Sequence, residues 1–298
     1  MKSSGKSTKE KEALATQLRS ITGATSSDAT RLLKKANYNL ERAIDHFYSD
    51  SAAQQAAISS QLSSSSSSGK SIEKKLGDIW ESYKDASSSP PLITIEGTMK
   101  LCEDLEIDPE NDPILFCLAA DLGSKTVGEW PKDGWVKGWR TIDASVESLA
   151  GMKAQLPRLR KKLNENPEYF KKVYGHTFTM SLQPGARVLA LDSAISFWQV
   201  FFPAALSASP SALSHITNPS TGETTDPAFT DLDDWLEFMK ARGKPVSKDV
   251  WGLFVDFVRT IDPDYANYDE DGAWPSVIDE FYASQRAKKT AGSMDTSA

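Results

Sequence analysis

Asn267, Asp269, Asp271 and Gly272 fall at positions 1, 3, 5 and 6 of the spacing with which an EF-hand wraps calcium in oxygen ligands. The same count puts Pro275 at position 9 and Ile278 at position 12, where a bidentate glutamate belongs. Without that glutamate the loop lacks two of roughly seven oxygens around the ion. The stretch NYDEDGAWPSVIDEF (267–281) therefore predicts an EF-hand-like turn with broken metal chemistry, and no metal ligand is assigned. Two Gly-Lys-Ser strings, at Gly5 and Gly69, fail as phosphate loops. The first starts too near the terminus; the second has Ser64 where the leading glycine is needed. His46, His176 and His215 have no carboxylate or cysteine at ligand spacing, and no Gly-x-Ser-x-Gly elbow accompanies them. A triad assembled from distant residues leaves no trace in a sequence, so hydrolysis is unsupported rather than excluded. No catalytic residue and no cofactor is assigned.

Composition narrows the partners. In 298 residues, 39% hydrophobic with eight tryptophans, there is enough apolar material for a real core. A formal charge of -7 and a pI near 5.2, without a basic run interleaved with aromatics, argue against nucleic acid and suit a basic protein surface. Cys102 and Cys117 are far from Cys-x-x-Cys spacing and sit in an amphipathic and an apolar helical pattern respectively, which predicts buried thiols in a reducing compartment, the nucleus, the cytoplasm or both. No membrane association is expected. The longest apolar run, FWQVFFPAALSA, is short and broken by Pro203; the N-terminal stretch has no apolar segment, and Lys2 excludes a myristoylation signal.

The elements that must carry any site read as helices. Residues 8–48 show three short patterns, with Leu14, Leu18 and Ile21, then Ala29, Leu32 and Leu33, then Leu40, Ile44 and Phe47 on their apolar faces. Ser27 and Asn39 are the expected N-caps of the second and third. Residues 49–71, rich in Ser, Ala and Gln, predict a flexible linker. Beyond them, residues 72–285 carry helical spacing almost throughout, with strand-like alternation scarce, so the expected fold class is all-α. Trp130, Trp135 and Trp139 suggest an aromatic platform, but Trp135 and Trp139 are one helical turn apart and fit a core better. The Ser/Thr/Pro-rich segment 203–230 predicts a surface insertion, and residues 286–298 a flexible tail.

Several stretches together resemble the defective-in-cullin-neddylation family. They are KLGDIWESYKD, ITIEGTMKLCEDLEIDP, RLRKKLNENPEYFKKVYGHTF, LALDSAISFWQVFF, KDVWGLFVDF and NYDEDGAWPSVIDEF, in that order through most of residues 72–285. The three-helix pattern at 8–48 is similar to the ubiquitin-associated domain that often precedes the potentiating-neddylation domain in this family. The resemblance implies a helical domain of degenerate EF-hand-like units. It also implies a non-catalytic, scaffold-type co-ligase that holds a cullin's C-terminal winged-helix region together with the charged neddylation conjugating enzyme, a cullin-bound RING protein completing the ligase.

Site residues carry over from the resemblance as expectations. The family's acidic-alanine-acidic cullin patch matches Asp249, Ala273 and Asp279. The pocket for the acetylated N-terminal methionine of the conjugating enzyme matches Ile95, Thr98, Ile114, Leu115, Cys117, Thr126, Val127, Met180 and Val200. Thr98, Cys117 and Met180 depart from the commoner apolar choices. The ubiquitin-binding loop of such bundles matches Thr22, Gly23 and Ala24, which keeps the glycine and loses both large apolar contacts. Two alternatives stand beside the scaffold: a ubiquitin-binding adaptor working through residues 8–48, and a calcium-binding EF-hand protein resting on the 267–272 spacing alone.

Overall fold

Three amphipathic helices open the chain: α1 (Thr8–Thr22), α2 (Ser26–Lys35) and α3 (Leu40–Tyr48). The structure, a computed structural model, describes residues 7–202 and 210–295, and their side chains except those of 58–68 and 290–295. Gly5 and Lys6 of the first Gly-Lys-Ser string lie outside it. Ser7 and Glu10 close a reciprocal capping box at the head of α1. Gly23 ends that helix in the left-handed region, at φ 72°. Ala24 then turns into the core, so the extended residue before α2 is Thr25, whose hydroxyl accepts from the Asp28 N–H. The cap is thus Thr25, and Ser27 falls inside the first turn. Asn39 caps α3 as its side chain predicts. Leu18, Leu32, Leu33 and Phe47 fill the centre among small alanines, which let short helices approach closely.

The expected linker is mostly helical. Residues 51–83 form one helix, α4 (Ser51–Tyr83). The stretch contains no proline, and its two glycines, Gly69 and Gly77, each cost a helix only about 1 kcal/mol. Ala53 and Ala57, four apart, bury one face of α4 on the three-helix core, while Leu76, Trp80 and Tyr83 bury its last turns in the following domain. The chain divides into two compact units at Lys74 and Lys75.

The second unit continues in chain order with β1 (Leu92–Ile93), α5 (Ile95–Leu105), α6 (Ile114–Leu122), β2 (Trp130–Pro131), α7 (Lys132–Ile142), α8 (Leu149–Glu165), α9 (Pro167–Met180), β3 (Val188–Leu189) and α10 (Leu191–Phe201). After it come β4 (His215–Asn218), β5 (Glu223–Thr225), α11 (Leu232–Arg242), β6 (Val246–Ser247), α12 (Lys248–Thr260) and α13 (Ser276–Asp295). Four times a helix, a loop, a two-residue strand and a second helix follow one another, and the strands couple in twos. β1 pairs antiparallel with β2, Ile93 opposite Trp130, and β3 with β6, Leu189 opposite Val246. This is the helix–loop–helix pairing of EF-hands, as the resemblance implies. Two-residue strands are too short to alternate visibly, which is why the sequence reads as helix throughout.

Aromatic rings hold the second pair together. Tyr174 stacks on Trp251 at 4.1 Å between centroids, and Trp235 stacks on Phe254 at 4.4 Å. The buried indole of Trp198 donates to the Tyr174 hydroxyl, and that of Trp251 to the Tyr174 carbonyl. Trp135 and Trp139 are fully buried, in line with the core reading.

Two further expectations change. Of the insertion, residues 203–209 lie outside the described chain, but the rest is anchored: Ala212, Leu213 and His215 are buried, and β4 and β5 form a hairpin. Burial of Leu213 and His215 ties down a segment that composition alone marks as loose. The expected tail is helical to Asp295, and residues 296–298 lie outside the description. Lys288 pairs with Asp234, and Lys289 lies 4.5 Å over the Tyr265 ring, so α13 keeps tertiary partners as far as Lys289. No helix among the described residues is long and apolar enough to cross a membrane.

Candidate functional site

The 267–272 stretch does not sit in any of the four strand-paired loops. It connects α12 to α13, and its oxygens serve the backbone. The Asn267 side chain donates to the Thr260 carbonyl at 2.6 Å and accepts from the Asp262 N–H at 2.9 Å. The Asp269 carboxylate accepts from the Asp271 N–H. Ile278, at the position of the missing glutamate, is fully buried. Among the described residues no three acidic, histidine or cysteine side chains converge on a metal position.

At the acidic end of the loop stand an exposed alanine and a half-buried carboxylate. Ala273 is exposed, with only a methyl group to present, and Asp279 follows in the first turn of α13. The Tyr268 hydroxyl donates to Asp279 Oδ1 at 2.5 Å, and Tyr268 is held by stacking on Tyr282 at 3.9 Å. Burial, and then the Asp279 carboxylate, pushes the Tyr268 phenol above its ordinary range, so it remains a donor that fixes one carboxylate oxygen. Asp249 is exposed in the first turn of α12. It is not the helix cap, because Ser247 accepts from the Val250 N–H. Both carboxylates thus stand in the first turn of a helix, at the positive end of its dipole. An Arg242–Glu280 ion pair ties the end of α11, shortly before Asp249, to the residue after Asp279.

A second feature is an apolar cleft of about 260 Å³ formed where α5, α6, the loop before β2, α9 and α10 meet. Five of the nine expected methionine-pocket residues line it: Ile95, Thr98, Leu115, Val127 and Met180. Ile114 and Cys117 do not; they are fully buried behind it on the core face of α6. Thr126, exposed on the loop, and the half-buried Val200 are also outside the lining. Sequence reasoning missed Met99, Pro109, Phe116, Ala119, Trp130 and Phe197. Met99 was legible, standing one turn after Ile95 on α5; Phe197 was not, because only the second helical pair brings it there. Ile95 (64% exposed), Met99 (46%) and Val127 (45%) form an open apolar rim. Inside, the Thr98 hydroxyl accepts from the Trp130 indole at 2.7 Å and donates to the Gly128 carbonyl at 2.8 Å. A threonine among apolar neighbours is therefore fully satisfied, and the cleft presents few free polar atoms. Desolvation pushes the Cys117 thiol up to about 12 and that of Cys102 up to about 11, so neither is an available nucleophile.

In the N-terminal bundle the 22–24 loop is turned inward. The Thr22 hydroxyl donates to the Leu18 carbonyl and accepts from the Ala24 N–H, and Ala24 is buried. Among the described residues of this unit, Ile21 and Tyr48 are exposed large apolar side chains.

Comparison with known proteins agrees with this architecture. A family described as cullin binding matches residues 151–284, and a UBA-like domain family matches residues 12–54. Defective in cullin neddylation protein 1 of Cryptococcus neoformans is 49% identical over 279 residues, covering 93% of this chain and 94% of that protein. The protein of the same name in Mycosarcoma maydis is 32% identical over 329 residues, covering 97% and 98%. That of Pyricularia oryzae is 30% identical over 273 residues, covering 90% of each. With its bundle, its paired helix–loop–helix domain and its similarity to these proteins over nine-tenths or more of its length, the chain belongs to the defective-in-cullin-neddylation family.

Proposed function

We propose that this protein promotes cullin neddylation as a non-catalytic scaffold, docking a cullin's C-terminal winged-helix region on Asp249, Ala273 and Asp279. The observation that carries the reading is the exposed Ala273 on the loop leading to a carboxylate held by Tyr268, within the part of the chain that matches the cullin-binding family. A flat alanine lets a partner backbone approach, and carboxylates at helix starts accept charge-assisted hydrogen bonds from its basic groups. The apolar cleft is the second grip. It receives the acetylated N-terminal methionine of the charged conjugating enzyme, acetylation having removed an amino charge that would be costly to desolvate. Holding both partners makes attack of the cullin lysine effectively intramolecular, with the cullin-bound RING protein completing the ligase.

The test is calorimetric titration of the chain with a cullin C-terminal winged-helix domain. Asp279→Ala and Ala273→Arg are each expected to weaken binding by about 2 kcal/mol or more, the first by removing an acceptor and the second by setting a cation against a basic surface. Wild-type affinity in both variants removes the patch from the account. In parallel, an N-terminal peptide of the conjugating enzyme is expected to bind more tightly acetylated than free.

A further inference from the structure

Beside the acidic patch, β4 and the α12–α13 connection enclose an open groove of about 410 Å³. Ile216, Phe257, Ile261 and Trp274 give it an apolar lining, and Asp269 stands at its polar side. The hairpin that forms one wall is pinned. His215 Nε2 lies 3.0 Å from Asp262 Oδ1, Arg259 Nε donates to the Ser214 carbonyl at 3.4 Å, and Leu213 is buried. The groove is therefore a preformed feature made by the insertion, whose composition alone suggested a loose surface loop.

Two observations say what fills it. The groove is continuous with the patch: Trp274 follows the exposed Ala273, and Tyr268, which lines the groove, donates to Asp279. Its surroundings are also rich in carboxylates: the chain from Ile261 to Ser284 carries acidic side chains and no lysine or arginine. Of these, Glu270 pairs with Arg286 and Glu280 with Arg242, while among the described residues Asp249, Asp269 and Asp279 have no cation in an ion pair. Such a surface attracts a segment whose large apolar residue is flanked by lysine or arginine. We propose that the groove takes a large apolar side chain of the same cullin segment that sets its basic groups against Asp249 and Asp279. The β4–β5 hairpin is then part of the docking surface rather than a bystander. This rests on the cullin-docking reading above and extends it to the insertion.

The experiment titrates the full chain against a cullin C-terminal winged-helix domain, comparing wild type, Asp279→Ala, Ile216→Asp and Thr217→Arg, with a thermal melt of each. Ile216→Asp puts a charge into the apolar wall. Thr217→Arg changes an exposed rim position, so its fold is expected to hold and its melt to match wild type. Both hairpin variants are expected to weaken binding about tenfold or more. Wild-type affinity in Thr217→Arg, with affinity lost in Asp279→Ala, overturns the groove and leaves the patch standing. No binding by the wild type overturns both.

Discussion

Thr98 shows how one residue can look wrong for its place and still be correct. In an apolar cleft a threonine seems a defect, yet its hydroxyl is the acceptor for the Trp130 indole and the donor to the Gly128 carbonyl. Thr98→Val keeps the shape and removes both bonds, leaving a buried indole N–H without an acceptor. The expected cost is about 1–3 kcal/mol in chemical denaturation, whereas Thr98→Ser, which keeps the hydroxyl, loses less. Equal loss in the two variants would mean that the methyl group, not the hydrogen bonds, matters there. Asp279 carries the complementary lesson. Its side chain sits one residue past the broken calcium position, and the resemblance places it in the cullin patch without saying what orients it. The Tyr268 hydroxyl contact orients it, and that contact spans a turn that no local spacing rule anticipates.

Helix α6 marks the limit of what periodicity reveals. ILFCLAADL is apolar nearly all round, so its pattern announces burial without saying which side is open. The structure sends Ile114, Cys117 and Leu118 to the core and Leu115, Phe116 and Ala119 to the cleft. Its neighbour α7 approaches closely because glycines face it: a Cβ on Gly138 would stand 2.5 Å from Leu122 Cδ2 and 2.6 Å from the Asp121 carbonyl. Gly138→Ala is therefore expected to destabilise the protein by about 1–3 kcal/mol. Gly175, exposed on α9, has open space where its Cβ would be, and Gly175→Ala is expected to stabilise by about 0.5–1 kcal/mol through backbone entropy alone. Urea denaturation of the two variants separates packing from propensity; a loss of equal size in both would contradict the close approach. The serine-rich half of α4 teaches the converse of α6. Composition suggested a linker, but with no proline and alanines four apart the stretch had nothing to stop a helix once its ends were docked.

Across the whole molecule, burial sets an alkaline limit on stability. Desolvation, joined by neighbouring carboxylates at Tyr83, Tyr265 and Tyr268, raises the phenols of Tyr83, Tyr169, Tyr174, Tyr265 and Tyr268, and it raises both thiols. In the unfolded chain thiols ionise near about 8.5 and phenols near about 10. Above those values the native state holds more protons than the unfolded state, so stability falls as pH rises. The contribution is complete below about pH 8.5 and is lost progressively as pH climbs toward the raised folded values. Urea midpoints are expected to be lower at about pH 10.5 than at about pH 8, and an unchanged midpoint would contradict it. The sequence by itself determined the helical class, the two-part organisation and, through the order of its motifs, the family, because these follow from local residue types and spacings. Tertiary structure alone decided which faces of α5, α6 and α10 open into a cleft, that the insertion forms a pinned hairpin and that the linker and tail are helical. Those outcomes depend on contacts between residues far apart in the chain, such as Thr98 with Trp130 and His215 with Asp262, whose partners no local pattern specifies.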